Sequence, residues 1–208
     1  MPVEETYQEL GRRVLATPAR LGPVRLVAID GPSGAGKTLF AGRLTVALAG
    51  LPGSGESIDA PVVHTDDLLD GWADQFTFWS RLEDWVLGPL RAGRPGRYRR
   101  YSWIRREFTP RWVPVPAAPV VILEGVSAAR ATIRPELSLA VFVTAPRELR
   151  LDRALARDGP AVRSALERWR LAEDTHFTAD DTERRSDLVV DGAPGRIDDP
   201  DNRYLRVR

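Results

Sequence analysis

The sequence lacks cysteine and has a single lysine among its 30 basic residues. The absence of cysteine excludes disulfides, thiolate metal sites and a cysteine nucleophile, and with only two histidines a zinc site is not expected. No apolar run approaches the length of about 18 residues that a transmembrane helix needs. The first residues lack the pattern of a secretory signal. A formal net charge of +1 gives no reason to expect nucleic acid or a membrane as partner. We therefore expect a cytoplasmic enzyme, and the sequence leaves a homo-oligomer open.

The single lysine, Lys37, lies in the segment 31–38, whose sequence GPSGAGKT matches G-x-x-x-x-G-K-[ST] in full. In such a loop, backbone N–H groups surround phosphate oxygens and a compact ammonium group reaches the β- and γ-phosphates. The planar guanidinium of arginine is a poor substitute for that point charge. The hydroxyl of Thr38 is a predicted ligand of Mg²⁺. The sequence therefore predicts that ATP and Mg²⁺ bind here. The predicted nucleotide-binding residues are Gly31, Ser33, Gly34, Ala35, Gly36, Lys37, Thr38 and Leu39.

Short apolar runs alternate with helical patterns along the chain, which indicates a parallel sheet with right-handed crossovers. We predict an α/β fold of the P-loop NTPase class in three layers, α/β/α, with five parallel strands in a single domain spanning 1–208. A small acceptor-binding insertion is predicted at about 70–118. The predicted strands are 24–30, 61–65, 120–123, 139–143 and 188–190. The predicted helices are 3–16, 38–49, 75–90, 146–157 and 161–177. The segment 91–100 is predicted to be a basic loop, and no structure is assigned to the tail from Ile197.

Three acidic residues, Asp30, Asp66 and Glu124, lie at the ends of predicted strands. Ligands bind beyond the carboxyl ends of parallel strands, so we expect these carboxylates beside the glycine loop. Asp66 is the candidate catalytic base, because a kinase needs a carboxylate to orient the acceptor hydroxyl and take its proton. An Asp66–Asp67 helix cap is the alternative. Glu124 is predicted to hold Mg²⁺ through water or to contact the acceptor, unless it is a turn residue. Thr38, Asp66 and Glu124 form the predicted metal site.

Arg150, Arg153 and Arg157 recur at spacings of three and four residues on one face of a predicted helix. They could close over ATP and stabilise the charge on the transferring phosphoryl group, with Arg153 as the predicted catalytic arginine that also reaches the acceptor. A solvated helix face with salt bridges is the alternative, because Glu148 and Asp152 lie nearby in the sequence.

Five of the six tryptophans fall in the segment 72–112, beside the basic residues of the predicted loop. This density suits an aromatic acceptor pocket in which a planar base could stack. The core of a small insertion is the alternative, and we expect most of these rings to fill such a core while two or three face the ligand.

These motifs resemble those of the uridine kinase group of P-loop small-molecule kinases, which includes pantothenate kinase and phosphoribulokinase relatives. The short actinobacterial-type members are the most similar. The resemblance extends from about Val24 to Gly192. It rests on GPSGAGKT (31–38), HTDDLLDGW (64–72), GRYRRYSW (96–103), VVILEGV (120–126), APRELRLDRALARD (145–158) and SDLVVDG (186–192).

The resemblance implies an ATP- and Mg²⁺-dependent kinase with Asp66 as its catalytic aspartate and Glu124 as its strand-end glutamate. It implies that Tyr101, with Trp103 beside it, lies in the acceptor site and that Asp74 holds ribose hydroxyls. The arginines Arg150, Arg153 and Arg157 would surround a lid at about 157–165, and Asp191 would lie beside the adenine.

The sequence departs from the uridine kinase pattern in the elements that read the nucleoside. Leu68 and Leu69 replace a Phe-Tyr pair, and the histidine usual shortly after the tyrosine motif is absent. The resemblance still favours a nucleoside as acceptor, and these departures keep a sugar, a pantothenate-like acid or a specialised metabolite as alternatives. A non-catalytic ATP-binding module is a further alternative. A guanine-selective GTPase is not expected, because its Asn-Lys-x-Asp motif requires a second lysine.

Overall fold

The computed structural model describes residues 1–51, 58–195 and 197–208 and contains two sheets. The described strands are β1 (Val3–Thr6), β2 (Arg25–Asp30), β3 (Val62–His64), β4 (Gly96–Ser102), β5 (Glu107–Val115), β6 (Val120–Glu124), β7 (Leu137–Thr144), β8 (Leu188–Asp191) and β9 (Arg203–Arg206). Seven of them form the main sheet in the order β1-β9-β8-β7-β2-β6-β3. The other two, β4 and β5, form an antiparallel hairpin.

The centre of the main sheet consists of the five predicted parallel strands, β8, β7, β2, β6 and β3. This confirms the predicted α/β class, although the sheet has two more strands than predicted. Because the five strands are parallel, their carboxyl ends meet at one edge of the sheet. Asp30, His64, Glu124 and Asp191 are the last residues of β2, β3, β6 and β8 and therefore lie along that edge.

Helices cover both faces of the sheet, as the three-layer prediction requires. The described helices are α1 (Tyr7–Ala16), α2 (Lys37–Ala49), α3 (Trp79–Leu82), α4 (Gly88–Arg91), α5 (Arg147–Asp158), α6 (Arg163–Asp180) and α7 (Thr182–Arg185). Side chains alternate between the faces of each strand, so Val27 and Ile29 pack in one core with α1 and α2. Leu26 and Ala28 pack in the other with the α3–α4 region and Trp169 of α6. None of the described helices is both long and apolar enough to span a membrane.

The two additional strands come from the ends of the chain. The predicted helix 3–16 is wrong in its first four residues, which form β1 and pair antiparallel with β9 in the unassigned tail. The helix begins after Thr6, whose hydroxyl accepts the Glu9 N–H while the Glu9 carboxylate accepts the Thr6 N–H. This reciprocal cap stops the helix from continuing towards the N-terminus.

The insertion contains a helical stretch followed by the hairpin. The predicted helix 75–90 begins only at Trp79, and a π-helical segment, Glu83–Leu87, separates α3 from α4. Pro89 has no N–H to donate, and its ring would clash with a carbonyl one turn earlier, so the wider π turn accommodates it. The predicted loop 91–100 is also wrong, because β4 begins at Gly96. Arg97 and Arg99 lie over the ring of Trp112 on one face of the hairpin, at 4.6 and 4.8 Å from its centroid.

The predicted lid segment joins α5 to α6. Gly159 has a φ of +83° and is followed by a short 3₁₀ turn, Pro160–Val162. Helix α6 then runs from Arg163 to Asp180, three residues beyond the end of the predicted helix 161–177.

Candidate active site

The segment 31–38, called the phosphate loop below after its predicted role, is hydrogen-bonded to Asp30. The Asp30 carboxylate is fully buried at the end of β2. One of its oxygens accepts the N–H groups of Gly31 and Ser127, at 2.7 and 3.0 Å, and the other accepts that of Ala129 at 2.8 Å. Burial raises the pKa of Asp30 to about 7, against the effect of these donors and of the nearby Lys37. Asp30 therefore anchors the loop and does not line the cleft on its open side.

The open side of the loop presents unused N–H groups. The amides of Gly31, Ser33 and Ala35 donate to protein oxygens. Among the described residues, by contrast, the Gly34 and Gly36 amides make no hydrogen bond to a protein acceptor. Both glycines have positive φ, +78° and +104°, and the first N–H groups of α2 have no partner within the helix. These donors form an anion-binding surface.

Lys37 and Thr38 follow at the start of α2. The Lys37 ammonium lies 3.1 Å from the Pro32 carbonyl oxygen, across the loop. The Thr38 hydroxyl donates to one oxygen of Glu124 at 3.3 Å. A hydroxyl and a carboxylate supply hard oxygen ligands, and Mg²⁺ in nucleotide sites takes few protein ligands because phosphates and water supply the rest. The described residues contain no cluster of three His, Asp or Glu that could hold a metal alone. Thr38 and Glu124 thus fit a Mg²⁺ that is bound together with a nucleotide.

His64 also contacts Glu124, which the sequence did not reveal. Its Nδ1 lies 2.6 Å from the second Glu124 oxygen, because His64 and Glu124 are paired residues of β3 and β6. This hydrogen bond raises the pKa of His64. The sequence carries no signal for this contact, because it depends on the strand register that places His64 beside Glu124. The Glu124 carboxylate is thereby held between the imidazole and Thr38.

Asp66 lies in a 3₁₀ turn directly after β3 and lines a cleft of about 260 Å³. The cleft also brings together Lys37, Thr38, Glu124 and Arg157. Although Asp66 is open to solvent along the cleft, desolvation by the surrounding protein raises its pKa; the charge of Glu124 adds to this effect and that of Lys37 opposes it. The adjacent Asp67 lies elsewhere, where it accepts the Tyr98 hydroxyl at 3.1 Å and pairs with Arg100 at 3.0 Å.

The three candidate arginines of α5 lie in two different places. Arg153 lines the cleft and donates to the carbonyls of Gly34 and Gly192, each at 3.2 Å, so that it lies over the phosphate loop. Arg157 lines the cleft, and its hydrogen bond to Asp158, together with the charges of Asp66 and Glu124, raises its pKa. Arg150 is buried, donates to the Ala145 carbonyl at 3.1 Å and lines a separate cavity of about 610 Å³. The structure does not bring Arg150 to the cleft.

The segment predicted to lie beside the adenine approaches the phosphate loop. Asp191 ends β8 and accepts the Ala193 N–H at 2.8 Å. The next residue, Gly192, lies so close to the loop that a Cβ placed on it would be 1.8 Å from the Ala35 carbonyl oxygen.

The predicted acceptor-site rings form a chain of contacts. Trp103 lies with its ring centroid 5.3 Å from that of Tyr101 and 5.2 Å from that of Trp72, each pair edge to face. Trp72 and Trp103 are more than one third exposed. Asp74 does not face them freely, because its carboxylate accepts the Asp70 N–H, the Thr77 hydroxyl and the Arg81 guanidinium.

Two residues of α6, Trp169 and Glu173, contact the phosphate loop and were missed by the sequence analysis. Glu173 accepts the Ser33 N–H at 2.9 Å, and the Trp169 indole donates to the Ser33 hydroxyl at 2.9 Å. The sequence carries no spacing signal for these contacts, which join residues 136 and 140 positions apart.

The chain was compared with protein families and with curated sequences. No family model matches the chain. The inorganic pyrophosphatase TTM1 of Arabidopsis thaliana is 30% identical over 142 residues, which cover 64% of this chain and 20% of the relative. The chain thus spans about one fifth of the length of that curated relative.

Two solved structures share the fold. A possible uridine kinase from Bacillus stearothermophilus has a TM-score of 0.64 at 21% identity, covering 88% of this chain and 96% of that one. A protein assigned as a candidate fructose transport system kinase from Silicibacter sp. TM1040 has a TM-score of 0.59 at 20% identity, covering 85% and 95%. The chain therefore has the fold of the uridine kinase-like P-loop kinases.

Proposed function

We propose that this protein is a kinase that transfers the γ-phosphoryl group of ATP to a hydroxyl group of a small molecule, with a nucleoside as the favoured acceptor. The observation that carries the proposal is that Asp66 lines the same cleft as Lys37, Thr38, Glu124 and Arg157. A carboxylate for an acceptor hydroxyl thus lies beside a loop that binds phosphates, which is the combination that phosphoryl transfer requires.

On the nucleotide side, the free amides of Gly34 and Gly36 and the first turn of α2 would bind the β-phosphate. Lys37 would leave the Pro32 carbonyl for the β- and γ-phosphates. Thr38 and Glu124 would hold Mg²⁺, which when bound neutralises phosphate charge. Arg153 lies over the loop, and Arg157 lies where it can stabilise the charge of the transferring group.

On the acceptor side, Asp66 would accept a hydrogen bond from the acceptor hydroxyl and fix its oxygen in line with the γ-phosphorus. As the new P–O bond forms and the bond to the bridging oxygen of ADP breaks, the hydroxyl proton passes to the Asp66 carboxylate. The raised pKa of Asp66 suits this role, because a more basic carboxylate takes the proton more readily.

The aromatic rings, rather than Asp66, indicate which class of acceptor the site would bind. The exposed parts of Trp72 and Trp103 offer flat surfaces on which a nucleobase can stack, which favours a nucleoside. The missing histidine and the occupied Asp74 carboxylate are the observations that favour a second candidate, a kinase for a sugar or another non-nucleoside alcohol.

A substrate panel tests the proposal. ADP release would be measured with ATP and Mg²⁺ in the presence of uridine, cytidine, other nucleosides, sugars and pantothenate. We expect turnover with a pyrimidine nucleoside, and Lys37→Ala should abolish it because the variant loses the ammonium that binds the transferring phosphate. Turnover with another alcohol alone would keep the kinase and reassign the acceptor. ATP binding without turnover on any acceptor would indicate a non-catalytic module.

A further inference from the structure

Helix α6 contacts the phosphate loop and the acceptor-site rings at the same time. On the loop side, one oxygen of Glu173 accepts both the N–H and the hydroxyl of Ser33. The Trp169 indole N–H lies 2.7 Å from that same oxygen and 2.9 Å from the Ser33 hydroxyl. The third residue of the loop is thereby tied to two side chains that are one helical turn apart on α6.

These contacts lie in the protein interior, where a carboxylate stabilises the fold less than an apolar side chain of similar size would. Glu173 is fully buried and Trp169 is 7% exposed. The second oxygen of Glu173 has no hydrogen-bond partner among the described residues. A buried carboxylate with an unsatisfied oxygen is less favourable than a well-packed aliphatic residue. The carboxylate does, however, hold the Ser33 amide and hydroxyl in a fixed position, which an aliphatic side chain could not do.

On its other side, Trp169 meets the acceptor-site rings. Its ring centroid lies 5.6 Å from that of Trp72, edge to face, and Trp72 in turn contacts Trp103. The Gln75 amide donates to the Trp169 carbonyl at 3.3 Å, which ties this part of α6 to the insertion. A ligand that lies on the exposed faces of Trp72 and Trp103 would therefore touch the outer end of a continuous set of contacts that ends at Ser33.

We infer that Trp169 and Glu173 are positioning residues that couple the acceptor site to the phosphate loop. An acceptor packed against Trp72 and Trp103 would fix Trp169, and Trp169 with Glu173 would fix Ser33 and the loop that holds the phosphates. This inference rests on the proposed function for the identity of the two sites. Coupling between binding sites is reciprocal, so a bound nucleotide should also change the surroundings of Trp72 and Trp103.

The reciprocal effect can be measured with Mg²⁺ and ADP alone, before any acceptor is known. The six indole N–H signals would be assigned in ¹H–¹⁵N NMR spectra with single Trp→Phe variants. We expect ADP to shift the signals of Trp169, Trp72 and Trp103. The signal of Trp112, which packs against Trp85 and two arginines on the hairpin, should stay in place and serves as internal control.

Trp169→Phe tests the route, because phenylalanine keeps an aromatic ring beside Trp72 but removes the indole N–H. ADP affinity, measured by calorimetry, should fall by no more than about fivefold, the equivalent of one ordinary hydrogen bond. The ADP-induced shifts of Trp72 and Trp103 should disappear. Ser33→Ala removes the hydroxyl but keeps the Ser33 N–H bond to Glu173 and the Trp169 bond to Glu173, so it should reduce the shifts without abolishing them. Trp112→Phe is the matched control and should leave them unchanged.

Once an acceptor is identified, the ADP affinity can also be measured in its presence. In wild type, saturating acceptor should tighten ADP binding by at least about fivefold, the lower end of usual coupling. In Trp169→Phe, the ADP affinity should be the same with and without acceptor. A merely structural role would weaken ADP binding equally with and without acceptor.

The outcomes separate the inference from the proposed function. Absence of ADP binding in wild type would contradict both. ADP binding with unmoved Trp72 and Trp103 signals, or shifts of full size in Trp169→Phe, would overturn the coupling and leave the kinase proposal standing.

Discussion

At the scale of single residues, the adjacent aspartates Asp66 and Asp67 after β3 differ in their surroundings. This difference indicates different roles for the two carboxylates. Asp67 is engaged by Tyr98 and Arg100 of β4, and burial together with the Asp67 charge raises the pKa of Tyr98 to about 12. Asp66 lines the cleft beside Lys37. Asp67 therefore anchors the hairpin to the sheet, whereas Asp66 is available for an acceptor hydroxyl.

The buried Asp30 gives a prediction about pH. Its pKa is raised in the folded protein from an ordinary value of 3.8 to about 7, so the folded state binds more protons than the unfolded chain between these values. The free energy of unfolding should therefore fall as pH rises through this window. In Asp30→Asn this component of the decline should be absent, although the variant should be less stable overall because a carboxylate oxygen that accepts an N–H is lost.

Urea unfolding of wild type and Asp30→Asn at several pH values across the window measures this difference. Other groups, such as His64, titrate in both proteins and cancel in the comparison. An equally steep decline in both proteins would show that Asp30 does not titrate there.

At the scale of elements, the end of β8 and the phosphate loop fit together without room for a side chain. The Gly192 N–H donates to the Thr144 carbonyl at 2.7 Å, and the Gly192 Cα faces the Ala35 carbonyl. Arg153 of α5 donates to the Gly192 carbonyl from the other side. The shape of the loop thus depends on a neighbouring strand as well as on its own glycines.

Gly192→Ala should distort the loop, because its Cβ would lie 1.8 Å from the Ala35 carbonyl oxygen. We expect a loss of about 1–3 kcal/mol in the free energy of unfolding, as usual for overpacking, and a weaker affinity for ADP. Thermal unfolding and calorimetry measure the two effects. Gly195→Ala is the matched control, since a Cβ there meets nothing within 4 Å, and equal behaviour of the two variants would contradict the packing argument.

The sequence was sufficient for elements whose pattern is local. The apolar runs of β2, β6 and β7 and the glycine motif predicted the parallel sheet and placed Asp66 and Glu124 at its edge. Strand β4 was missed because arginines alternate there with Gly96 and Tyr98, and the charges concealed the alternation. Strands β1 and β9 were missed because both are short and pair with each other across the whole length of the chain. The contacts of His64, Trp169 and Glu173 depend on tertiary packing and had no local signal.

At the scale of the whole molecule, the sheet joins two separately packed cores, and the cleft opens where the carboxyl ends of its parallel strands meet. The phosphate loop and α2 belong to one face, and the insertion with α6 packs on the other. The proposed nucleotide and acceptor sites would therefore be built from different layers of the fold and meet at Asp66. We propose that phosphoryl transfer takes place beside Asp66, where the two proposed sites meet.

That claim is tested most directly by acceptor-dependent ADP release from wild type, Asp66→Asn and Asp67→Asn, with ADP affinity measured in parallel. We predict that Asp66→Asn lowers kcat at least about 100-fold, the usual contribution of a general base, while its ADP affinity stays close to that of wild type. Asp67→Asn should retain turnover and lose only thermal stability. Near-normal turnover in Asp66→Asn would contradict the account.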